Sequence, residues 1–220
     1  MKPILFASDM VRAILDGRKT ATRRIVKAPV LYRPPVEPPS HIFLDGDLFQ
    51  FQWNTGKTVA GFAIKPPYLP GDILYVREAF ACDGFDGEKD VYVYRADVDE
   101  CGRVVWGDIE KNEWAPKSDY NWHPSIHMPK EAARIFLRVT DVRVERLQEI
   151  GNCIKEGIPP GTHATAHMNE IDERSAFASL WNGTIKPEKL STYGWDANPY
   201  VWVIEFERID KVEGGHADKP

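Results

Sequence analysis

Apolar positions recur along this chain with two different periods. Ile4-Leu5-Phe6 reads as the centre of a short strand at 3–7, and Val11, Ile14 and Leu15 then recur three and four apart, the spacing of one helix face. With Ser8 as N-cap and Gly17 as stop residue, a short amphipathic helix is predicted over 9–16. The stretch after it carries the pairs Pro34-Pro35, Pro38-Pro39 and Pro66-Pro67. Proline lacks the amide donor and fixes φ, so only short strands fit there, and His41–Leu44, Leu48–Trp53 and Thr58–Ile64 are predicted to form a small hairpin system. Leu69-Pro70-Gly71-Asp72 is a turn signal leading into a strand, Ile73–Val76.

Residues 82–124 are polar and turn-rich, with strand candidates Val91–Arg95 and Arg103–Trp106 and too few apolar residues for a separate core. Strands return at Ile135–Val139 and Val142–Val144, helices are predicted over Leu147–Glu156 and Glu170–Trp181, and Tyr200–Phe206 is strongly β-prone. The pattern describes an α+β domain over 1–209, a mixed barrel closed by its terminal strands and flanked by helices. Insertions are expected at about 28–68 and 82–121, with a disordered tail at 210–220.

Composition narrows the class. The chain has 220 residues, long enough for one real core, and no apolar run near the roughly 20 residues of a membrane-spanning helix. The apolar stretch near Met1 is too short for a signal peptide. Cys82, Cys101 and Cys153 are scattered, with no CxxC pair, which argues against a disulfide framework or zinc site and fits a reducing cytoplasm. Net charge is −5, so no general affinity for nucleic acid is advertised. The sum hides a basic strip: Arg12, Arg18, Lys19, Arg23, Arg24 and Lys27 are opposed only by Asp16, a cluster able to meet a phosphate or simply to face solvent.

The residue types in that strip also allow chemistry. A threonine hydroxyl is a poor nucleophile until a base takes its proton, and Lys19 can serve Thr22 in this way if neighbouring arginines depress its pKa. Residues three apart in a regular strand face opposite ways, so the pair requires a bend or bulge after Gly17. Glu78, at the end of the Ile73–Val76 strand, can accept from an exocyclic amine or pair within the neighbourhood of Arg77. Trp122, Ser125 and Met128 can wall a base pocket, with His127 in the same Pro-bounded turn. His123 and His127 lack a carboxylate or Cys partner at ligand spacing, so no metal and no cofactor is expected. Trp181, Trp195 and Trp202 read as core.

Several segments together resemble the ASCH family of the PUA-like superfamily: Ile14–Arg24, Pro70–Glu78, Ala133–Glu156 and Asn198–Arg208. The longer phage and prophage type is resembled by Trp122–Pro129 and Tyr193–Trp202. The resemblance implies a PUA-like barrel with a cleft suited to a nucleoside or RNA. One branch removes the acetyl group from N(4)-acetylcytidine with a lysine, a threonine and a glutamate. Its GRKTxTxR motif falls on Gly17, Arg18, Lys19, Thr20, Thr22 and Arg24, which implies Lys19 as base, Thr22 as nucleophile and Glu156 as general acid or base. Arg18, Arg23, Arg24, Glu78, Trp122, Ser125, His127 and Met128 are then expected to bind substrate, with the basic segment facing the 122–128 turn across a cleft. A non-catalytic reader of RNA or modified bases and a ribonuclease are the alternatives. As solvent-facing polar residues, Lys19, Thr22 and Glu156 would be replaceable at about 0.5 kcal/mol or less.

Overall fold

A computed structural model describes residues 1–27, 39–54, 59–85, 87–88, 90–98, 120–159 and 166–210. The Arg103–Trp106 strand, Cys101 and the tail after 210 lie outside the described residues. Within them the chain is α+β. A five-stranded mixed sheet has the order β1 (Lys2–Leu5), β6 (Ile73–Arg77), β9 (Phe136–Arg146), β10 (Tyr200–Ile209), β2 (Ala21–Ile25). Only β1 and β6 run parallel; the other neighbours are antiparallel.

The sheet is open, with β1 and β2 as its edges. The closure expected from the sequence is bridged by a side chain instead: the Arg24 guanidinium on β2 donates to the Leu5 carbonyl on β1 at 3.3 Å. β10 lies second from the β2 edge and is apolar on both faces, as a strand covered on both sides must be. Its Trp202, Ile204 and Phe206 pack with α1 (Ser8–Leu15) and with the Phe49–Phe51–Trp53 face of β4 (Leu48–Asn54). Phe49 meets Trp202 edge-on at 5.0 Å. Between β3 (His41–Asp45) and β5 (Val59–Ile64), β4 forms the predicted antiparallel hairpin system. On the other face, Val201 and Val203 pack against Phe177 and Trp181 of α2 (Ala166–Gly183).

Four local readings change. Ala7 holds the N-cap position of α1, and Ser8 is already helical. The basic segment forms a strand, β2, because β10 offers its edge as a template. β7 (Phe80–Phe85) and β8 (Asp90–Tyr94) make a two-stranded ribbon whose first strand was hidden by Asp83 and Gly84. The helix predicted over 147–156 is two isolated turns, Leu147–Glu149 and Ile154–Glu156. Asn152 explains the break: its Oδ1 accepts from the Ile154 and Lys155 amides and competes with the helical ladder.

Candidate functional site

The bend required after Gly17 is present. Gly17 sits at φ +74°, the left-handed region that favours glycine, and the Lys19 amide then donates back to the Ala13 carbonyl at 2.9 Å. Lys19 therefore precedes β2 rather than belonging to it. Thr20 is fastened on both sides, its amide to Lys155 and its carbonyl to the Phe206 amide. Gly157, at φ +94°, lets the loop lie against the Lys19 stem, where an added Cβ would stand 3.3 Å from Lys19 Cδ. Along β2, Thr22 and Arg24 lie opposite Ile204 and Trp202, while Arg23 lies opposite Val203.

This packing buries the three residues expected to carry chemistry. Lys19 and Thr22 are each 2 % exposed and Glu156 is 3 % exposed, so they are not solvent-facing residues. Lys19 Nζ donates to the carbonyls of Ala21 (2.7 Å) and Glu156 (2.8 Å) and lies 3.5 Å from the Glu156 carboxylate. Burial brings its pKa down from 10.5 to about 8, Glu156 opposes the shift, and Arg24 and Arg23 assist it. The arginines thus act in the expected direction, but desolvation leads.

Arg23 ties the cluster to the sheet. It donates from Nη1 to Glu156 and from Nη2 to Glu145 on β9 at 3.1 Å, while its Nε is buried without a partner. Arg24 donates from Nη1 to Thr22 Oγ1 at 3.1 Å and has no carboxylate partner among the described residues. Lys19, Arg23 and Arg24 therefore face two carboxylates, Glu156 and Glu145, and Glu145 is shared with Arg143. The surplus is positive, which suits an anion or an oxygen acquiring negative charge.

Beside this cluster lies a cavity of about 280 Å³. Thr22, Arg24 and Glu156 give its polar wall, and Phe177, Leu180 and Trp181 its apolar one. A second cavity of about 560 Å³ shares Met10, Glu156 and Leu180 with the first and includes Arg18, which is paired with Asp16. Small-molecule sites combine walls of this kind, an apolar slot and a few convergent polar groups.

The 122–128 turn does not face the basic segment across this cavity. Met128 is fully buried with Tyr75, Phe80 and Phe136, and its Sδ accepts from the Glu78 amide at 3.2 Å. Ser125, Ile126 and His127 form a single turn, joined to β6 by Arg77 Nη1 donating to the Ile126 carbonyl. Trp122 stands next to Arg95. Glu78 is 1 % exposed and takes two bonds from Arg134, 2.9 and 3.0 Å, while Arg134 also holds Asp97. The carboxylate is thus paired, but with Arg134 rather than in the neighbourhood of Arg77 as the sequence suggested. Its pKa is raised, first by burial, against the pull of Arg134.

Sequence reasoning missed Glu145, which presents itself only as one charge in an alternating strand, and the Arg134–Asp97 pair, which no motif marks. Trp181 was read as core, and it is both core and cavity wall, with its Nε1 donating to the Tyr193 carbonyl. Among the described residues no group of three His, Cys, Asp or Glu side chains is placed to hold a metal ion, and no helix is long and apolar enough to cross a membrane. Comparison with protein-family models, with curated proteins and with solved structures gives no match.

Proposed function

We propose that this chain is a PUA-like protein of ASCH type that takes the base of a nucleoside, free or within RNA, into the cavity walled by Thr22, Arg24 and Trp181. We propose further that it hydrolyses an amide there, the acetyl group of N(4)-acetylcytidine being the best-defined substrate. One observation carries the catalytic part: a buried lysine with its pKa near 8, three residues from a threonine that lines the cavity and whose hydroxyl is held by Arg24. Neutral Lys19 has two N–H bonds, which the Ala21 and Glu156 carbonyls can occupy, leaving its lone pair for the Thr22 proton.

The steps balance. Thr22 Oγ1 attacks the acetyl carbonyl carbon as its proton passes to Lys19. Arg24 Nη1, already bonded to Thr22, stabilises the oxygen that becomes negative. The C–N bond then breaks as the exocyclic nitrogen takes the proton that Thr22 gave to Lys19, directly or relayed through the Glu156 carboxylate 3.5 Å away. Water hydrolyses the acetyl–threonine ester to acetate, returning a proton to Thr22 Oγ1. A different observation favours the reader: in its charged form Lys19 spends its donors on two carbonyls and a carboxylate, a complete structural arrangement.

Incubating the protein with N(4)-acetylcytidine and separating the products decides between them. Cytidine and acetate support hydrolysis, retained binding without turnover supports the reader, and shortened labelled RNA would point to the ribonuclease. If hydrolysis occurs, Thr22→Ala abolishes it while Thr22→Ser keeps it, and turnover in Thr22→Ala sinks the nucleophile assignment. The pH profile is a separate check. The base must be neutral, so kcat/KM rises about tenfold per pH unit below 8 and levels off above it. A flat profile between pH 6 and 8 would remove Lys19 as base.

A further inference from the structure

The three-stranded sheet ends on an open edge. β3 is its outer strand, and among the described residues 41–45 bond only to β4. Alternate backbone N–H and C=O groups of β3 therefore point away from β4 with no strand to meet. Apolar side chains gather at the same place. Phe43 is 42 % exposed and Leu44 49 %, with Leu48 across the hairpin turn at 39 %.

The other outer strands are protected in the ways that keep sheet edges from pairing. β1 carries Lys2 and Pro3, β2 carries Arg23 and Arg24, and the pairing of β7 shifts register between Cys82 and Gly84. β5 exposes only the small side chains of Gly61 and Ala63, and β8 is half-buried after Asp90. β3, His41-Ile42-Phe43-Leu44-Asp45, has no proline, no lysine and no bulge.

The strand is also complementary to its own reverse. His41, Phe43 and Asp45 share the outer face, and Ile42 and Leu44 share the face toward the core, against which Ile42 packs. A second antiparallel copy must bring like faces together, so a two-fold axis passes through a residue rather than between two. An axis at Phe43 overlaps all five residues. His41 then lies opposite Asp45 of the second copy at both ends, where the imidazole N–H can donate to the carboxylate. Ile42 lies opposite Leu44, covering a side chain now left to solvent, and Phe43 meets its own counterpart. An axis at Ile42 or Leu44 would overlap fewer residues and set His41 or Asp45 against Phe43.

We propose that two copies of this chain pair through β3, in antiparallel register about Phe43, and join their three-stranded sheets into one of six strands. The charge complementarity of His41 and Asp45 names the occupant as a second copy, because every opposed pair is then a favourable one: ionic, aliphatic or aromatic. One strand pair is a small interface, so the dimer forms and dissociates with concentration. The proposal is independent of the nucleoside-binding reading of the cavity.

Sedimentation equilibrium of the full chain between about 1 and 100 µM tests it, since that range spans the affinities of small, reversible interfaces. The wild-type protein is expected to move from monomer to dimer mass within the range. Phe43→Lys sets two ammonium groups together at the axis and stays monomeric. His41→Asp opposes a carboxylate to each Asp45, and Asp45→His opposes imidazole to imidazole. Each weakens the dimer about tenfold through two unfavourable contacts. The exchange His41→Asp/Asp45→His restores it. Because the exchange contains both single changes, its recovery separates lost pairing from lost folding.

A wild-type protein that remains monomeric at about 100 µM would overturn the proposal. A dimer that survives Phe43→Lys would place the contact elsewhere and overturn it too. So would an exchange variant no better than the single ones, which would remove the register about Phe43. Masses that keep growing beyond the dimer would likewise defeat it, because a two-fold pairing of one edge closes on itself.

Discussion

Glu156→Gln costs this protein about 3–5 kcal/mol of stability at pH 6, far more than a replacement at a solvent-facing glutamate. The carboxylate is 3 % exposed and serves two buried cations, Arg23 and Lys19. Arg23 keeps Glu145 when Glu156 loses its charge, but Lys19 keeps only neutral acceptors, the backbone carbonyls of Ala21 and residue 156 foremost. The cost therefore falls on the lysine, and that gives it a pH signature. In the wild-type protein Lys19 has a folded pKa near 8, below its ordinary 10.5, and Glu156 is what holds it that high. Without Glu156 the folded pKa drops further.

A lysine with a depressed folded pKa binds more protons unfolded than folded, so stability rises with pH between the two values. In the variant this rise starts below pH 8, where the wild type is still flat. The variant's deficit is largest near pH 6 and narrows as pH approaches 8. Urea unfolding of both proteins at pH 6 and pH 8 measures it. A loss under 1 kcal/mol at pH 6 would return Glu156 to the solvent-facing reading. A deficit independent of pH would mean that Lys19 is not the group left uncompensated.

How legible this was differs by residue. The bend at Gly17 was legible because residues three apart in a regular strand face opposite ways, so pairing Lys19 with Thr22 required a break there, and a glycine stood where it was needed. Thr22 and Arg24 were legible as types, but their setting was not. β2 exists because β10 presents an edge to pair with, and a basic pentapeptide carries no such signal of its own. The burial of Lys19 and Glu156 was hidden for a related reason. It depends on residues 153–158 folding as a turn over the Lys19 stem, a contact between positions more than 130 apart in the chain. The expected grouping of Glu78 and Met128 with the basic strip failed on alternation at the end of β6. Glu78 turns inward to Arg134, and Arg77 alone reaches toward the surface shared with the 122–128 turn. Long-range ion pairs of this kind leave almost no trace in a single sequence, since any of several arginines could have met Glu78.

That same Arg134 sets the second large effect. Arg134→Met is expected to cost about 3–5 kcal/mol at pH 7.5, because its guanidinium is held by both oxygens of Glu78 and both of Asp97. Methionine keeps part of the stem volume and the contact with the Tyr94 ring, which the guanidinium now covers at 3.9 Å. What it cannot keep is the charge between two buried carboxylates. Both already have raised pKa values, first through burial, with Arg134 pulling each of them down. Removing Arg134 lets both rise further. A carboxylate whose folded pKa exceeds its unfolded one binds more protons folded, so stability falls as pH increases through the window between them. In the variant that window extends upward from the ordinary carboxylate range near 4. Its deficit relative to wild type is therefore greatest at pH 7.5 and shrinks on acidification toward pH 5, as the two side chains come to share a proton. This is opposite in sign to the Glu156→Gln response, which improves as pH rises. Urea unfolding at pH 5 and 7.5 reads it directly, and adding Glu78→Gln to the variant should recover part of the loss at pH 7.5. A deficit that widens on acidification, or a double variant no better than Arg134→Met alone, would show that the pairing of Glu78 and Asp97 through Arg134 is not what holds this side of the sheet.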